Sequence, residues 1–236
     1  MLCRIADLYT EVPEAGGLAP RCKEYLCAES TEPHVVIHAD RYSRSGYPET
    51  MTDDDVAYME SGVQFYIKLL EFGGLYLHSS AVALDGKAYL FSGPCGMGKS
   101  THTRLWQQTF GSAAQVINDD KPALRRIDGT WYAYGTPWCG KDGINQNKKV
   151  PLGGICFLQQ APENKIRRLS EEEAATKILT QTFHKFKTIK NLDRVLQLVD
   201  QLVQEIPIYE LENRPEPEAA RLSYETMRPR AEGDQK

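Results

Sequence analysis

Long apolar runs are missing from the sequence. No segment approaches the ~20 consecutive apolar residues that a helix needs to cross a bilayer. The first residues already carry charges, Arg4 and Asp7, where a secretory signal peptide needs an apolar stretch. We therefore expect a cytoplasmic protein that has no membrane as a partner.

Long blocks of one charge are missing as well. The formal net charge is −4, and the 28 Lys and Arg residues are spread among 32 Asp and Glu residues. A surface that binds nucleic acid needs a concentrated basic patch. The charge pattern therefore gives no reason to expect nucleic acid as a partner.

The sequence has six cysteines but no Cys-x-x-Cys pair. Cys22 and Cys27 are close together, yet no second Cys or His pair at zinc spacing accompanies them, so a structural zinc is not expected. Cys95 lies in a glycine-rich loop, where a disulfide would obstruct a ligand. We expect all the cysteines to be reduced thiols.

The 236 residues are enough for one mid-sized domain, or for a core with a small appendage. Residues 1–50 alternate short apolar runs, at 3–9, 24–27 and 34–39, with Pro and Gly, which predicts a small strand-rich N-terminal part. Residues 51–227 carry longer periodic segments and are the predicted core. Residues 228–236 are polar and predict a disordered tail.

The predicted core begins with a helix that Thr52 caps and that ends at Gly73. Residues 75–84 and 87–92 are extended runs on either side of Asp85-Gly86, a dipeptide that favours a two-residue hairpin turn. Periodicity then predicts helices at 100–110, 171 to about 186, 192–206 and 216–227, and strands at 113–118, 130–134, 154–158 and 207–211.

A glycine-rich loop follows the second run of the hairpin. Residues 93–100 read Gly-Pro-Cys-Gly-Met-Gly-Lys-Ser, which matches the phosphate-binding P-loop between a predicted strand and a predicted helix. Its glycines allow backbone N–H groups to turn inward around an anion, and the next helix adds its positive end. Lys99 is expected to reach the β and γ phosphates, and the Ser100 hydroxyl to ligate Mg²⁺. The residues expected to contact the nucleotide are Gly93, Cys95, Gly96, Met97, Gly98, Lys99, Ser100 and Thr101.

Two carboxylates, Asp119 and Asp120, follow the predicted strand at 113–118. Ligands bind at the carboxyl ends of strands in open α/β sheets. Successive side chains of an extended chain point to opposite faces, so one carboxylate can face a metal and the other an incoming hydroxyl. An ordinary acidic turn after a strand is the alternative.

His78 gains interest from the register of the hairpin. If Leu84 pairs with Lys87 across the turn, His78 lies opposite Gly93 and beside the predicted nucleotide. The alternative is a histidine that only makes hydrogen bonds within the sheet.

The sequence His78-Ser-Ser-Ala, the P-loop and the Asp pair occur in the same order as in a known group of proteins. The arrangement resembles that of HPr serine kinase and ATP-dependent phosphoenolpyruvate carboxykinase, whose nucleotide folds are related. The resemblance implies an α/β fold with a P-loop core of this type, a mixed sheet, a small strand-rich N-terminal part and a helical C-terminal part.

The resemblance also implies roles for these residues. In the carboxykinases the matching histidine and aspartate ligate a divalent metal, and in HPr kinase the Asp pair serves metal binding and proton transfer with the serine acceptor. By this likeness Ser100, Asp120 and His78 are the expected metal ligands and Asp119 the expected base. The sequence alone does not separate the roles of the two aspartates.

Residues 134–143, Tyr-Gly-Thr-Pro-Trp-Cys-Gly-Lys-Asp-Gly, resemble a stretch of small HPr-kinase-like proteins, several of which accompany peptide-modifying gene clusters. The glycines predict a flexible loop, and Lys141 is a cation that can neutralise a transferring phosphoryl group. Trp138 is expected either to stack on a substrate or to be buried beneath a surface hairpin.

Together these features predict an ATP- and Mg²⁺-dependent serine kinase that acts on a peptide or a small protein, with Mn²⁺ as an alternative metal. The predicted catalytic residues are His78, Lys99, Asp119, Asp120 and Lys141.

Differences from the known enzymes limit this prediction. The chain has no counterpart of the oxaloacetate-binding arginines of the carboxykinases, so decarboxylation is not expected. Thr101 lies where HPr kinase carries an acid, so the acceptor need not be HPr. A kinase of a small hydroxylated metabolite, and a nucleotide-dependent regulatory or peptide-binding module without catalysis, are the alternatives. Assembly into a homo-oligomer is left open.

Overall fold

The computed structural model of the protein describes residues 1–14, 17–28, 31–182 and 188–229. These residues form a mixed α/β fold, as predicted. The strands are β1 (Leu2–Ile5), β2 (Leu8–Glu11), β3 (Val35–Val36), β4 (Gly74–Tyr76), β5 (Ser79–Leu84), β6 (Lys87–Ser92), β7 (Gln115–Asp120), β8 (Ala123–Ile127), β9 (Thr130–Tyr134), β10 (Lys149–Gln160), β11 (Lys165–Arg168) and β12 (Ile208–Asn213). The helices are α1 (Leu18–Arg21), α2 (Asp53–Leu69), α3 (Lys99–Phe110), α4 (Glu171–Gln181), α5 (Ile189–Glu205) and α6 (Pro217–Met227).

In the part of the chain that is described, nine strands make one mixed sheet. Its main path runs β4-β8-β9-β10-β6-β5-β7, with β12 also beside β10 and β11 beside β12. Strand β10 is parallel to β6 and to β12, whereas the other pairings of this sheet are antiparallel. The predicted mixed sheet is therefore confirmed.

Helices cover both faces of this sheet. Along β6, Ala88 and Leu90 share a buried cluster with residues of α4 and α5, whereas Tyr89 and Phe91 share another with residues of α3 and α6. This alternation follows from the period of two in an extended strand. Because both faces are buried, the sheet can hold the loops at its strand ends in fixed positions.

The N-terminal residues form a smaller sheet in the order β1-β2-β3. The predicted extended run at 3–9 is in fact two strands, because Ala6 and Asp7 take positive φ angles of 49° and 61° and turn the chain back. The run at 24–27 is also not a strand, since Lys23–Tyr25 is a short 3₁₀ helix. Side chains of this sheet share one buried cluster with α2. The domain boundary near residue 50 stays a prediction.

Helix α2 begins where its capping residue predicts. The Thr52 hydroxyl accepts a hydrogen bond from the Asp55 N–H at 3.1 Å, and the Asp55 carboxylate accepts one from the Thr52 N–H at 3.2 Å. This reciprocal pair satisfies two backbone donors at the helix start. A short 3₁₀ turn follows the helix and ends at Gly73, whose φ is 68°.

The predicted hairpin is present with the predicted register. Strands β5 and β6 pair Leu84 with Lys87, and the turn residues Asp85 and Gly86 have φ angles of 49° and 73°. The first extended run is shorter than predicted, because β4 pairs with β8 while β5 pairs with β6 and β7. Leu77 and His78 separate β4 from β5, so His78 lies at the point where the chain passes from pairing with β8 to pairing with β6 and β7.

The remaining helices and strands begin or end a few residues away from their predicted bounds. Strand β7 continues to Asp120, so both aspartates are its last residues. Helix α4 ends at Gln181, whereas the prediction ran to about residue 186; residues 183–187 lie outside the described residues. Most of the predicted tail, residues 230–236, also lies outside them. No helix within the described ranges is both long enough and apolar enough to cross a membrane.

Candidate functional site

The glycine-rich loop connects β6 to α3, as its sequence context predicts. Gly93, Gly96 and Gly98 have φ angles of 147°, 80° and 98°, a region that residues with a Cβ rarely adopt. Gly98 caps the start of α3, so the positive end of that helix points into the loop. The backbone here has the conformational requirements of an anion-binding turn.

Lys99, the first residue of α3, is only 9% exposed. Its Nζ donates hydrogen bonds to the carbonyl oxygens of Gly93 at 3.0 Å and Pro94 at 3.2 Å. Burial lowers the pKa of Lys99, although the negative charge of Asp120 acts in the opposite direction. The ammonium group therefore lies inside the loop and not in bulk solvent.

Asp119 lies beside the next residue of α3. The Ser100 hydroxyl donates a hydrogen bond to Asp119 Oδ1 at 2.9 Å. Asp119 is 7% exposed, and its position is fixed by the pairing of β7 with β5, which sets it across from Ser80. A hydroxyl and a carboxylate oxygen at this separation are the kind of ligands that Mg²⁺ takes in proteins.

Asp120 has different partners. Its Oδ1 lies 3.0 Å from His78 Nε2, and its Oδ2 forms an ion pair with the Lys121 ammonium. Burial alone would raise the pKa of Asp120, but the hydrogen bond from His78 and the charge of Lys121 outweigh burial and hold this pKa well below its ordinary value. Asp120 is therefore ionised across the physiological pH range.

His78 is held from its other side by the end of α4. Its Nδ1 lies 3.2 Å from the side-chain oxygen of Gln181, and its backbone N–H donates to the Gln181 carbonyl at 2.9 Å. The side chain of His78 thus bridges Gln181 and Asp120 at the junction of β4 and β5.

The loop that contains Lys141 runs along the outer edge of β7. The Gly140 N–H donates to the Asp119 carbonyl at 2.5 Å, and the Asp119 N–H donates to the Ile144 carbonyl at 3.1 Å. Asp142 forms an ion pair with Arg104 of α3. These contacts hold the loop against β7, and the exposed Lys141 lines the same cavity as the two aspartates.

One cavity of about 520 Å³ brings the predicted catalytic residues together. It is lined by His78, Cys95, Gly96, Gly98, Lys99, Ser100, Thr101, Asp119, Asp120, Gly140, Lys141 and Asp142. Two of the predicted nucleotide contacts, Gly93 and Met97, do not line this cavity. The Gly93 carbonyl accepts a hydrogen bond from Lys99, and Met97 lines a second cavity on another side of the loop. The residues that the sequence predicts for catalysis are thus neighbours in the fold.

Trp138 does not line this cavity. It is fully buried, stacks on Phe65 with ring centroids 4.8 Å apart, and donates a hydrogen bond from Nε1 to the Ser61 hydroxyl at 2.9 Å. Burial in the core, and not stacking on a substrate, is the role that the structure gives to Trp138.

Several further residues that support the site stand outside the motifs of the sequence. Lys121 directly follows the Asp pair, so its adjacency is a signal that could have been used. The buried Asn118 accepts a hydrogen bond from the Lys121 N–H at 2.8 Å and donates to the Thr136 carbonyl at 2.9 Å, which joins β7 to the loop after β9. Gln181 is far from His78 in sequence, so no local pattern predicts the contact between them.

Within the described ranges, no group of three or more His, Cys, Asp and Glu side chains is arranged to hold a metal ion. All six cysteines lie in the described ranges, and none of them is in a disulfide, as expected.

Comparison with known proteins identifies a family. No curated protein matches the chain. Among solved structures, the Hpr(Ser) kinase/phosphatase from Coxiella burnetii is a distant match, with 15% sequence identity and a TM-score of 0.29 over 55% of this chain and 92% of that chain. Residues 49–214, well over half of the chain and all of the cavity described above, match the sequence family described as SynChlorMet cassette protein ScmC. The chain belongs to the ScmC family of SynChlorMet cassette proteins.

Proposed function

We propose that the protein is a kinase that transfers the γ-phosphoryl group of ATP to a serine hydroxyl of a peptide or a small protein. The observation that carries this proposal is the shared cavity of the glycine-rich loop, Lys99, Ser100 and the two aspartates. In the reaction a bond forms between the acceptor oxygen and the γ phosphorus, the bond from that phosphorus to the β–γ bridging oxygen breaks, and the hydroxyl proton leaves to a carboxylate. The products are ADP and the phosphorylated acceptor.

The loop and Lys99 bind the phosphates in this proposal. The Lys99 ammonium now donates to two loop carbonyls, and exchanging these neutral acceptors for charged phosphate oxygens gives stronger hydrogen bonds. Because Lys99 is already ordered and largely buried, little side-chain entropy is lost when the phosphates bind. The backbone N–H groups of the loop and the start of α3 stabilise the remaining negative charge.

Ser100 and Asp119 hold the metal ion. Their oxygens are already adjacent at 2.9 Å, and they match the oxygen preference of Mg²⁺. When bound, Mg²⁺ neutralises charge on the β and γ phosphates. Mn²⁺ can take the same ligands.

Asp120 orients the acceptor hydroxyl and takes its proton. Phosphoryl transfer proceeds through a loose transition state that needs positioning more than a strong base, so a carboxylate with a low pKa is suited to the role. His78 and Lys121 fix its direction. This assignment exchanges the roles that the resemblance implies for the two aspartates, because Ser100 donates its hydrogen bond to Asp119.

Lys141 approaches the transferring group from the acceptor side. It lies on an exposed loop that the ion pair between Asp142 and Arg104 ties to α3. A cation at this position compensates negative charge that is spread over the phosphoryl oxygens in the transition state. The choice of a peptide as acceptor rests on the sequence resemblance of residues 134–143 to small HPr-kinase-like proteins.

The test is transfer of label from γ-labelled ATP, in the presence of Mg²⁺, to two sets of acceptors. One set is a library of serine-containing peptides, and the other is a pool of small hydroxylated metabolites. We expect label in peptides with the wild type and the exposed-site control K165M, and none with K99M. Transfer to metabolites alone would replace the peptide by a small molecule as acceptor. ATP binding without transfer to either set would contradict a kinase and favour a regulatory module.

A further inference from the structure

A second cavity adjoins the glycine-rich loop. It has a volume of about 370 Å³ and shares Gly96, Gly98 and Thr101 with the first cavity. This volume lies within the range of ~300–1,000 Å³ that is typical of small-molecule sites. A ligand whose phosphates lie on the loop can therefore extend from the first cavity into the second.

The walls of the second cavity come from three parts of the fold. Met97 and Leu105 give it an apolar surface on the side of the loop and α3. Gln160 and Ala161, at the end of β10, form another side, and Gln160 Nε2 donates to the Gly96 carbonyl at 3.4 Å. The cavity is thus attached directly to the phosphate-binding backbone.

The third wall is the segment after β12, which is held in place by hydrogen bonds. Asn164 accepts one from the Arg214 N–H at 2.9 Å and donates one to Glu216 at 2.7 Å. Glu216 in turn pairs with the guanidinium of Arg214 at 2.9 Å. This segment is therefore ordered before any ligand binds.

His102 lines the same cavity and is 1% exposed. Its Nε2 lies 3.1 Å from the Ser223 hydroxyl. That hydroxyl gives its hydrogen to the Ala220 carbonyl at 3.0 Å and accepts one from Trp106 Nε1 at 3.0 Å. The Ser223 hydroxyl therefore connects His102 and Trp106 of α3 to α6.

We propose that the second cavity holds the base of the nucleotide, with Met97 and Leu105 as the apolar surface against which the base packs. The proposal rests on the proposed function, which puts the triphosphate on the loop.

Filling the cavity tests its assignment to the base. Ala161 lies in the cavity wall, and A161W places a large side chain where the base would lie. A113W is the matched control, because Ala113 is exposed and lines neither cavity. Titration of each protein with ATP and with inorganic tripolyphosphate, both with Mg²⁺, separates base binding from phosphate binding.

We expect A161W to bind ATP at least about tenfold more weakly while tripolyphosphate binding is unchanged, and A113W to behave as the wild type. Unchanged ATP affinity in A161W would overturn the assignment of the base and leave the proposed function intact. A wild type that binds neither ligand would overturn both proposals.

Discussion

Asp120 is the residue at which backbone strain and charge coincide. Its φ of 106° is unusual for a residue with a side chain and costs about 1–3 kcal/mol. His78 and Lys121 hold its two carboxylate oxygens from different directions. Such an arrangement fixes the direction of the carboxylate before any ligand arrives, which is what an acceptor-orienting group requires.

The proposed roles of the two aspartates give a prediction that distinguishes them. D119N should raise the Mg²⁺ concentration needed for half-maximal rate by about tenfold or more, since a carboxylate ligand is lost. D120N should leave ATP binding unchanged and lower kcat by about 10²-fold or more, because the acceptor loses its proton-accepting group. Rates measured across a Mg²⁺ titration check both variants. The opposite pattern would restore the roles expected from the sequence.

The low pKa of Asp120 predicts how stability depends on pH. A carboxylate with a depressed pKa in the folded state stabilises the fold above its unfolded pKa of about 3.9, and this contribution is lost as the pH falls toward the folded pKa. D120N has no such group. As the pH is lowered below about 4, the free energy of unfolding should therefore fall less steeply in D120N than in the wild type. Urea unfolding at a series of pH values measures this slope. Equal slopes would show that the pKa of Asp120 is not depressed.

At the scale of elements, the site depends on the segment that runs beside β7. Gly135 lies where this segment leaves β9, and a Cβ there would come within 1.9 Å of the Gln146 carbonyl oxygen and 2.6 Å of the Ile117 carbonyl oxygen. Both neighbours are backbone atoms that cannot rotate away. Gly140 lies in the same loop, and a Cβ there would lie 3.4 Å from its nearest neighbour, the Asp119 carbonyl oxygen, which is an ordinary contact distance.

These two glycines make a matched pair for a stability test. G135A should lower the free energy of unfolding by about 1–3 kcal/mol or more, because the backbone must shift to admit the methyl group. G140A should change it by less than about 1 kcal/mol, since its contact is ordinary. Urea unfolding monitored by tryptophan fluorescence measures both. Equal losses in the two variants would contradict the close approach at Gly135.

Local signals account for the elements that the sequence predicted. Thr52 caps α2, and Asp85-Gly86 sets the register of β5 and β6, because both depend only on neighbouring residues. The same turn signal, Asp128-Gly129, joins β8 to β9 with φ angles of 48° and 82°, so that hairpin could also have been predicted. The change of partners at His78 and the contact with Gln181 depend on tertiary packing, so no local pattern reveals them.

At the scale of the whole molecule, the candidate site lies where three neighbouring strands of one sheet meet. His78 directly precedes β5, β6 leads into the glycine-rich loop, and β7 ends with the two aspartates. Helix α3 covers one face, while α4 reaches the site through Gln181. The match to the ScmC family spans residues 49–214, so the smaller N-terminal sheet lies outside it.

The central claim, that the loop binds the phosphates of ATP, is tested most directly by calorimetric titration of the protein with ATP in the presence of Mg²⁺. The wild type and K165M should each show one binding site of the same affinity. K99M should bind at least about 100-fold more weakly, because a desolvated charge that pairs with phosphate is lost. Absence of binding in the wild type, or equal affinity in K99M, would contradict the claim.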